Sequence, residues 1–207
     1  MKIFLYIAAA ICGYIVAGMN PAIAFSRAIY KKDIRECGSG NPGFTNFKRT
    51  FGNKWAWWVL VLDLFKAAAV TVTFALLLRW RGVDFQFAAA YTGIFCMLGH
   101  AYPVRYKFKG GKGFLVSLSI AYVIDWRVGL IATAIMIVLL LTTKYMSLST
   151  NVAMLTCPGM LFLFGASLPV IIIEAASVLF MAFRHRGNFK RLIQGKETKF
   201  TFGHKKV

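Results

Sequence analysis

Acidic residues are scarce in this sequence: Asp and Glu together number seven, against 25 Lys and Arg, which gives a formal net charge of +18. A soluble domain carries about a quarter charged and about half apolar residues, whereas this chain of 207 residues has 15% and 58%. The basic residues stand in separate clusters between long apolar runs. That spacing disfavours the single basic face of a nucleic-acid-binding domain and is typical of an integral membrane protein.

Several motifs of catalysis and metal binding are also missing. The four cysteines show no C-x-x-C spacing and three lie in apolar segments, so we expect buried free thiols and no metal site. Neither a Ser-His-Asp pattern nor a G-x-S-x-G elbow is present, which argues against a serine hydrolase. No internal repeat of the transporter kind is visible.

Long apolar segments give the expected architecture. A transmembrane helix needs about 20 mostly apolar residues, and the sequence offers such segments at residues 3–25, 55–78, 85–102, 114–124, 128–143 and 152–183. The last is too long for one span, and Gly165 and Pro169 near its middle predict two helices joined by a tight turn. We therefore expect one all-α integral membrane domain over residues 1–207 with seven transmembrane helices. A six-span version, in which residues 114–124 are re-entrant or interfacial, stays open.

The distribution of basic residues predicts the orientation. With seven spans, twenty of the 25 Lys and Arg fall on one side, and the other side holds only Lys2, Arg79, Arg81 and Arg127. The positive-inside rule makes the rich side cytoplasmic, so we expect the N-terminus outside and the C-terminus inside a bacterial cell membrane. A cleaved signal peptide, suggested by Ala-Ile-Ala at residues 22–24, is less favoured because cleavage would export the basic loop that follows.

The stretch GSGNPG at residues 38–43 matches the dinucleotide-binding template G-x-G-x-x-G. It follows a hydrophobic helix and a charged loop instead of a strand, so it predicts no Rossmann unit. Its glycines still allow backbone N–H groups to approach an anion closely. Phosphate or carboxylate donors stand in and after it: Ser39, Asn41, Thr45, Asn46 and Arg49. The simpler alternative is a polar turn between two helices.

A second glycine-rich loop, residues 99–113, ends in Gly110, Gly111, Lys112 and Gly113. It resembles half a P-loop but lacks the Ser or Thr after the lysine, so no nucleotide is implied. A lysine among glycines at a helix N-terminus nevertheless favours a phosphate site. His100, in the same loop, is either a general base or a structural hydrogen-bonding residue.

A third cluster follows the last apolar segment. His185, Asn188 and Arg191 recur at a spacing of three, so they share one face if the last helix continues. Glu197, the only acid of this tail, is expected to pair with a neighbouring Arg or Lys. Three such segments on the same side of the membrane predict one composite anion site at its surface.

Together the three motifs carry a specific resemblance. GSGNPGxTNxxRxxG at residues 38–52, GHxxPVxxxFxGGKG at 99–113 and HxxNxxRxxxGxE at 185–197 resemble the bacterial acyl-phosphate-dependent glycerol-3-phosphate acyltransferases, the PlsY family. The likeness covers nearly the whole chain. It implies a seven-helix enzyme with its active site at the cytoplasmic membrane face, without a cofactor or a covalent acyl-enzyme. The implied reaction moves a fatty acyl group from acyl phosphate to the 1-hydroxyl of sn-glycerol 3-phosphate, the first acylation step of phospholipid synthesis.

Matching positions in the motifs carry the implied roles. Catalytic roles fall on Ser39, Lys112, His185 and Asn188. Binding of substrate or phosphate falls on Gly38, Gly40, Asn41, Asn46, Arg49, His100, Gly110, Gly111, Gly113, Ser147, Arg191 and Glu197. The partners expected are acyl phosphate, sn-glycerol 3-phosphate, membrane lipid and a soluble enzyme that makes acyl phosphate, with no nucleic acid. We expect a monomer.

Some residues depart from the family pattern or lack a role in it. Phe44 stands where a small residue is common, and Ala67 replaces a glycine. Asp63 and Lys66, three apart in a span, are expected to neutralise each other, and Glu174 has no assigned role. Two other classes of function are an anion transporter and a membrane-anchored scaffold. The glycine, asparagine and histidine pattern at one membrane face favours the enzyme.

Overall fold

The computed structural model describes residues 1–201, and all regular structure in that range is helical. Two short 3₁₀ turns, Ile34–Glu36 and Val104–Tyr106, lie in the first two polar loops. The α-helices are α1 Lys2–Ala17, α2 Pro21–Tyr30, α3 Phe44–Phe51, α4 Asn53–Arg79, α5 Phe85–Ala101, α6 Phe114–Ile124, α7 Trp126–Thr143, α8 Met146–Leu155, α9 Cys157–Leu163, α10 Leu168–Arg184 and α11 Arg186–Ile193.

Four helical stretches are long and apolar enough to cross a bilayer by length and composition: Lys2–Tyr30, Asn53–Arg79, Trp126–Thr143 and Met146–Leu163. Helices α10 and α11 pass the same test together but are bent by 56° against each other. Large apolar side chains such as Phe65, Leu141 and Leu179 are exposed along these helices, as expected of a lipid-facing surface. The helical membrane architecture predicted from the sequence is thus present.

The first apolar segment is interrupted, which the sequence analysis did not predict. Helix α1 ends at Ala17, and α2 begins at Pro21, a residue suited to a first helical position. Asn20 caps α2 by accepting the N–H of Ile23 at 3.0 Å. Its side-chain amide also donates to the carbonyl of Pro42 at 2.9 Å. Through Asn20, the break in the first span is therefore hydrogen-bonded to the glycine loop at residues 38–43.

The last apolar block divides as predicted. Helix α9 ends at Leu163 and α10 begins at Leu168, with Pro169 in its first turn. Gly165 lies between them at φ +79°, a conformation that favours glycine. The first of these two spans begins at Met146 and not at residue 152, which places Ser147 at the start of a helix.

Helix α6 has the predicted bounds, and its position explains its shortness. It packs against α4, α5 and α7, and most of its eleven residues are buried. At about 1.5 Å per residue it covers only part of the thickness of a bilayer. Its N-terminus therefore starts within the bundle, directly after Lys112 and Gly113.

Two expectations about buried residues in the spans can be compared with the structure. Lys66 forms an ion pair with Asp63 at 2.7 Å, which confirms the predicted pairing. The four cysteines are free, with Cys96 and Cys157 buried and Cys12 and Cys37 half-buried. The prediction of buried free thiols therefore holds for Cys96 and Cys157, whereas Cys12 and Cys37 are only partly buried.

Candidate active site

A cavity of about 560 Å³ brings the three polar segments together. Its polar wall contains twelve of the residues singled out in the sequence: Ser39, Asn41, Asn46, Arg49, His100, Lys112, Gly113, Ser147, His185, Asn188, Arg191 and Glu197. Its apolar wall is formed by side chains of α4, α6 and α7: Trp57, Leu60, Leu64, Leu115, Leu118, Met136, Ile137 and Leu140. The cavity is thus polar on one side and apolar on the other.

Basic side chains dominate the charge of the cavity wall. Lys48, Arg49, Lys112 and Arg191 line it, against the two carboxylates of Asp63 and Glu197. Asp63 is ion-paired with Lys66 and Glu197 with Arg191. The surplus of positive charge suits an anionic ligand.

The first polar loop is shaped by Asn46. Its side-chain oxygen accepts the N–H of Ser39 at 2.9 Å, and its amide donates to the carbonyl of Cys37 at 2.9 Å. Gly38 has a φ of +56°, and a Cβ there would lie 2.4 Å from the Asn46 oxygen. Asn46 and Gly38 therefore hold the loop in shape, and the polar groups of Asn46 are already engaged. Gly38 and Gly40 are absent from the cavity wall.

Arg35 fastens the first polar loop to the second. Its guanidinium bonds to the carboxylate of Asp33 and donates to the carbonyl of Tyr106 at 2.9 Å. The loop that carries Ser39 and the loop that carries Lys112 are thereby held against each other. No motif in the sequence marked this contact, because Arg35 lies before the glycine template.

In the second polar loop the structure differs from the expectation that Gly110 and Gly111 bind phosphate. Their N–H groups donate to the carbonyls of Ala101 and His100, each at 3.1 Å, so these amides are not available to a phosphate. Both glycines are needed for close packing instead, because a Cβ on either would lie 2.1–2.2 Å from atoms of His100.

The amides available to an anion come from the start of α6. The first N–H with a partner inside this helix is that of Ser117, which donates to Gly113 at 2.8 Å. The amides before it are the unpaired donors of a helix N-terminus. Gly113, Phe114 and Leu115 line the cavity, so unpaired N–H groups of this helix end lie at the cavity beside Lys112, the arrangement in which helix N-termini bind anions.

The third segment bends at His185. The last long helix does not continue straight, so the condition for one shared face along it is not met; α10 and α11 meet there at 56°. The bend turns His185, Asn188 and Arg191 toward the cavity together. Glu197 connects Asn188 and Arg191 with Ser147, accepting from Asn188 at 2.6 Å, from Ser147 at 2.9 Å and from Arg191 at 2.7 Å. Its predicted pairing with an arginine is confirmed.

Proton positions follow from these contacts. The His185 Nδ1 lies 2.9 Å from the carbonyl of Met181, which can only accept, so Nδ1 carries the proton and Nε2 has a free lone pair. Burial lowers the pKa of His185 to about 4, so the ring is neutral at pH 7. Burial, together with Arg191, lowers the pKa of Lys112 to about 8. Burial opposes ionisation of Glu197, but hydrogen bonds from Asn188, Ser147 and Arg191 outweigh it and lower its pKa.

Phe200 and Lys48 also line the cavity, although no motif in the sequence marked them. Phe200 is buried and donates its N–H to the carbonyl of Lys144 at 2.7 Å. The ammonium of Lys48 lies 4.5 Å from the Phe200 ring centre and 3.1 Å from the carbonyl of Thr201. No sequence pattern in this polar tail indicates that it packs back onto the site.

Comparisons with known proteins place these features in a family. The sequence model described as glycerol-3-phosphate acyltransferase matches residues 7–195. The chain belongs to this family. The membership decides against the alternative of an anion transporter.

Relatives and solved structures agree with this assignment. Glycerol-3-phosphate acyltransferases of Staphylococcus carnosus and Clostridioides difficile are 37% and 32% identical, over 90% and 100% of this chain and 93% and 100% of theirs. A crystal structure of PlsY, an integral membrane glycerol 3-phosphate acyltransferase in its glycerol 3-phosphate form, superposes with a TM-score of 0.85 at 29% identity. That match covers 97% of this chain and 96% of the other. The lysophosphatidic acid form gives 0.83 at 28% identity, with 95% of each chain covered.

Proposed function

We propose that the protein transfers a fatty acyl group from acyl phosphate to the 1-hydroxyl of sn-glycerol 3-phosphate, giving lysophosphatidic acid and phosphate. The observation that carries the proposal is the two-sided cavity in a chain of this family. Its basic wall suits two phosphate groups, and its apolar wall between α4, α6 and α7 suits a fatty chain. One cavity can thus hold a water-soluble acceptor and a lipid donor together.

The chemistry needs no covalent enzyme intermediate. The hydroxyl oxygen of glycerol 3-phosphate attacks the acyl carbonyl carbon, the carbon–oxygen bond to phosphate breaks, and the phosphate leaves with the electron pair. The proton of the hydroxyl passes to the departing phosphate. Within residues 1–201 neither Ser39 nor Ser147 has a hydrogen bond to a histidine. Ser147 donates to Glu197, but the lowered pKa of that carboxyl makes it a weak base, so neither serine is activated as a nucleophile.

Four residues carry the proposed catalytic roles. Lys112 and the N-terminus of α6 stabilise the charge on the departing phosphate, as donors arranged in advance do in a desolvated site. Asn188 holds the Lys112 ammonium in place. His185 accepts a hydrogen bond from the attacking hydroxyl at its unprotonated Nε2 and orients it. Ser39 donates its hydroxyl to a phosphate oxygen.

Phosphate binding is proposed for the remaining polar side chains of the wall. Arg49 and Arg191 contact the two substrate phosphates, and Asn41 donates from the first loop. Ser147 and Glu197 support Asn188 and Arg191. Orientation of bound substrate by such groups supplies a large part of the rate in reactions of two substrates.

We propose seven spans, counting α5 and the short α6, whose N-terminus lies within the bundle, in addition to the longer helices. The N-terminus of the chain then lies outside and the C-terminus inside a bacterial cell membrane. This orientation puts all three polar segments at the cytoplasmic face, where the clusters of basic residues favour them. The whole cavity wall comes from one chain, so a monomer suffices. A soluble enzyme that makes acyl phosphate would deliver the donor at the same face.

Product formation tests the proposal. The purified protein in detergent is given labelled sn-glycerol 3-phosphate and acyl phosphate, and labelled lysophosphatidic acid is sought by mass spectrometry. We expect the product with both substrates present and none when acyl phosphate is omitted. Absence of product from a folded, monodisperse sample would refute the proposed reaction.

A further inference from the structure

Lys66 is the hub of a buried polar cluster beneath the cavity. Its ammonium lies 2.8 Å from the carbonyl of Met19, 2.7 Å from the Asp63 carboxylate and 3.3 Å from Nδ1 of His100. Its side chain is only 10% exposed. Asp63 and His100 line the cavity, whereas Lys66 stands behind them. The spacing of Asp63 and Lys66 predicts their pairing, but no pattern in the sequence connects Lys66 with His100.

The contact with Lys66 fixes where the proton of His100 lies. A lysine ammonium has three donors and no acceptor, and here three acceptors surround it. The Nδ1 atom of His100 must therefore present its lone pair to Lys66, which leaves the ring proton on Nε2. A doubly protonated ring would place a second positive charge beside the ammonium.

The same geometry argues against a histidine–aspartate base at this position. In such a base the aspartate accepts the Nδ1 proton and leaves a lone pair on Nε2. Here the Asp63 carboxylate is 3.8 Å from Nδ1, farther than the Lys66 ammonium. Lys66 occupies the place that the aspartate would need, so His100 has the opposite tautomer.

The Nε2 edge of His100 is directed toward the second polar loop. A Cβ on Gly111 would lie 2.2 Å from Nε2, so the glycine leaves room for this edge. In the described part of the chain, no residue accepts a hydrogen bond from Nε2. The Nε2 donor of His100 is therefore unused within residues 1–201, and the His100 side chain lies in the cavity wall that Lys112 also lines.

We propose that Lys66, held by Asp63, is a positioning residue that fixes His100 as the Nε2–H tautomer, so that His100 donates to a phosphoryl oxygen of the substrate and does not act as a base. The identity of the acceptor rests on the proposed function, but the tautomer does not. His185 has the opposite tautomer, with its proton on Nδ1 and a lone pair on Nε2. The cavity then offers one histidine as a donor and the other as an acceptor.

Nitrogen NMR tests the tautomer without any assay of activity. The chain has three histidines, and in full-length protein labelled with ¹⁵N-histidine the side chains are assigned by single substitutions. We expect His100 to carry its proton on Nε2 and His185 on Nδ1. A proton on Nδ1 of His100, or on both of its nitrogens, would overturn the proposal. If the protein made no lysophosphatidic acid, the reaction would be wrong and this result would still decide the tautomer.

Removing Lys66 tests its role as the positioning group. In Lys66→Met we expect signals of both His100 tautomers and a KM for glycerol 3-phosphate or acyl phosphate about tenfold higher, the usual scale for one hydrogen bond to a charged group. If the single variant inserts poorly into the membrane, the double variant Asp63→Asn/Lys66→Met is used instead, because it removes one negative and one positive charge together. Glu174→Gln, which neutralises a buried carboxyl outside the cavity wall, is the matched control and should leave both KM values unchanged. An unaltered tautomer in Lys66→Met would contradict the positioning role.

Two substitutions of His100 test the donor role itself. The amide nitrogen of glutamine can reach the position of Nε2, and that of asparagine the position of Nδ1. We expect His100→Gln to keep most of the affinity for the phosphate substrate, and His100→Asn to lose about tenfold. Equal losses, or the reverse order, would show that Nε2–H is not the group that binds.

Discussion

Lys112 donates a hydrogen bond from its ammonium to the side-chain oxygen of Asn188, which joins the second polar segment to the third. Asn188 in turn donates to Glu197, and Glu197 is held by Ser147 and Arg191. Within residues 1–201 no carboxylate forms an ion pair with Lys112. The lysine is therefore fixed in position by a neutral partner while its charge remains available to an anion.

Replacing Lys112 should reduce catalysis strongly. We expect Lys112→Ala to lose at least about 2 kcal/mol of transition-state stabilisation, or roughly thirtyfold in kcat/KM, because the anion would be left without its cation in a desolvated site. Arg49→Ala and Arg191→Ala should act in the same direction. Steady-state rates on purified protein measure the effect. Lys190→Ala removes an exposed basic residue that is not part of the cavity wall and should leave kcat/KM unchanged; near-normal activity of folded Lys112→Ala would exclude Lys112 from the site.

The lowered pKa of Lys112 predicts an alkaline limit to activity. The free enzyme loses the Lys112 charge as the pH rises through about 8, so kcat/KM should fall above that pH. A bound phosphate favours the charged lysine, so the fall in kcat should come at higher pH. Lys112→Arg, if active, should lose this limit because arginine stays protonated. A profile of kcat/KM that is flat from pH 7 to 9.5 would count against a functional Lys112 cation.

The tail should influence substrate binding through Phe200. Phe200 is 8% exposed and closes the cavity beside Lys48. Residues 196–200 form no helix, so removing the Phe200 ring should open the cavity locally without unfolding the protein. We expect Phe200→Ala to raise the KM for acyl phosphate about tenfold, the scale of losing a buried aromatic contact, with little change in melting temperature. Ile193→Ala, at an 88% exposed position, is the control, and wild-type constants in Phe200→Ala would show that the tail is not part of the site.

The proposed topology can be tested by accessibility of single cysteines. In a variant without the four native cysteines, reporters replace Lys109 and Lys196 on the predicted inner side and Lys2 and Arg79 on the outer side. All four positions are exposed, whereas Lys48 is buried and unsuitable. An impermeant maleimide should label positions 2 and 79 in intact cells, and positions 109 and 196 only after permeabilisation. Labelling of position 109 or 196 in intact cells would show that the polar segments lie on different sides of the membrane, which would contradict the proposal of one site.

Apolar length and turn residues predicted much of the fold. Residues 114–124 were predicted correctly as a helix, since they form an apolar run directly after a lysine and glycine cluster. The break at Gly165 was likewise predicted from glycine and proline. The interruption at Asn20 and Pro21 was missed, because apolar residues continue on both sides and mask a cap followed by a proline.

Which residues form the site could be predicted from the sequence, but the contacts that each of them makes could not. The motifs identified Lys112, Asn188 and Glu197, and the structure shows that they form one network. They could not show that the Gly110 and Gly111 amides are occupied by the end of α5. The link from Lys66 to His100 joins residues 34 positions apart, and no local pattern reports such a contact.

The choice of acyl donor tests the central claim most directly. Acyl-CoA would need a place for its nucleotide, whereas the cavity offers a phosphate-sized set of donors at the start of α6 and beside Lys112. One detergent-purified sample is assayed with acyl phosphate and with acyl-CoA, and both lysophosphatidic acid and inorganic phosphate are quantified. We predict turnover with acyl phosphate, little or none with acyl-CoA, and one phosphate released for each lysophosphatidic acid formed. Comparable rates with acyl-CoA, or acyl transfer without release of phosphate, would contradict the account.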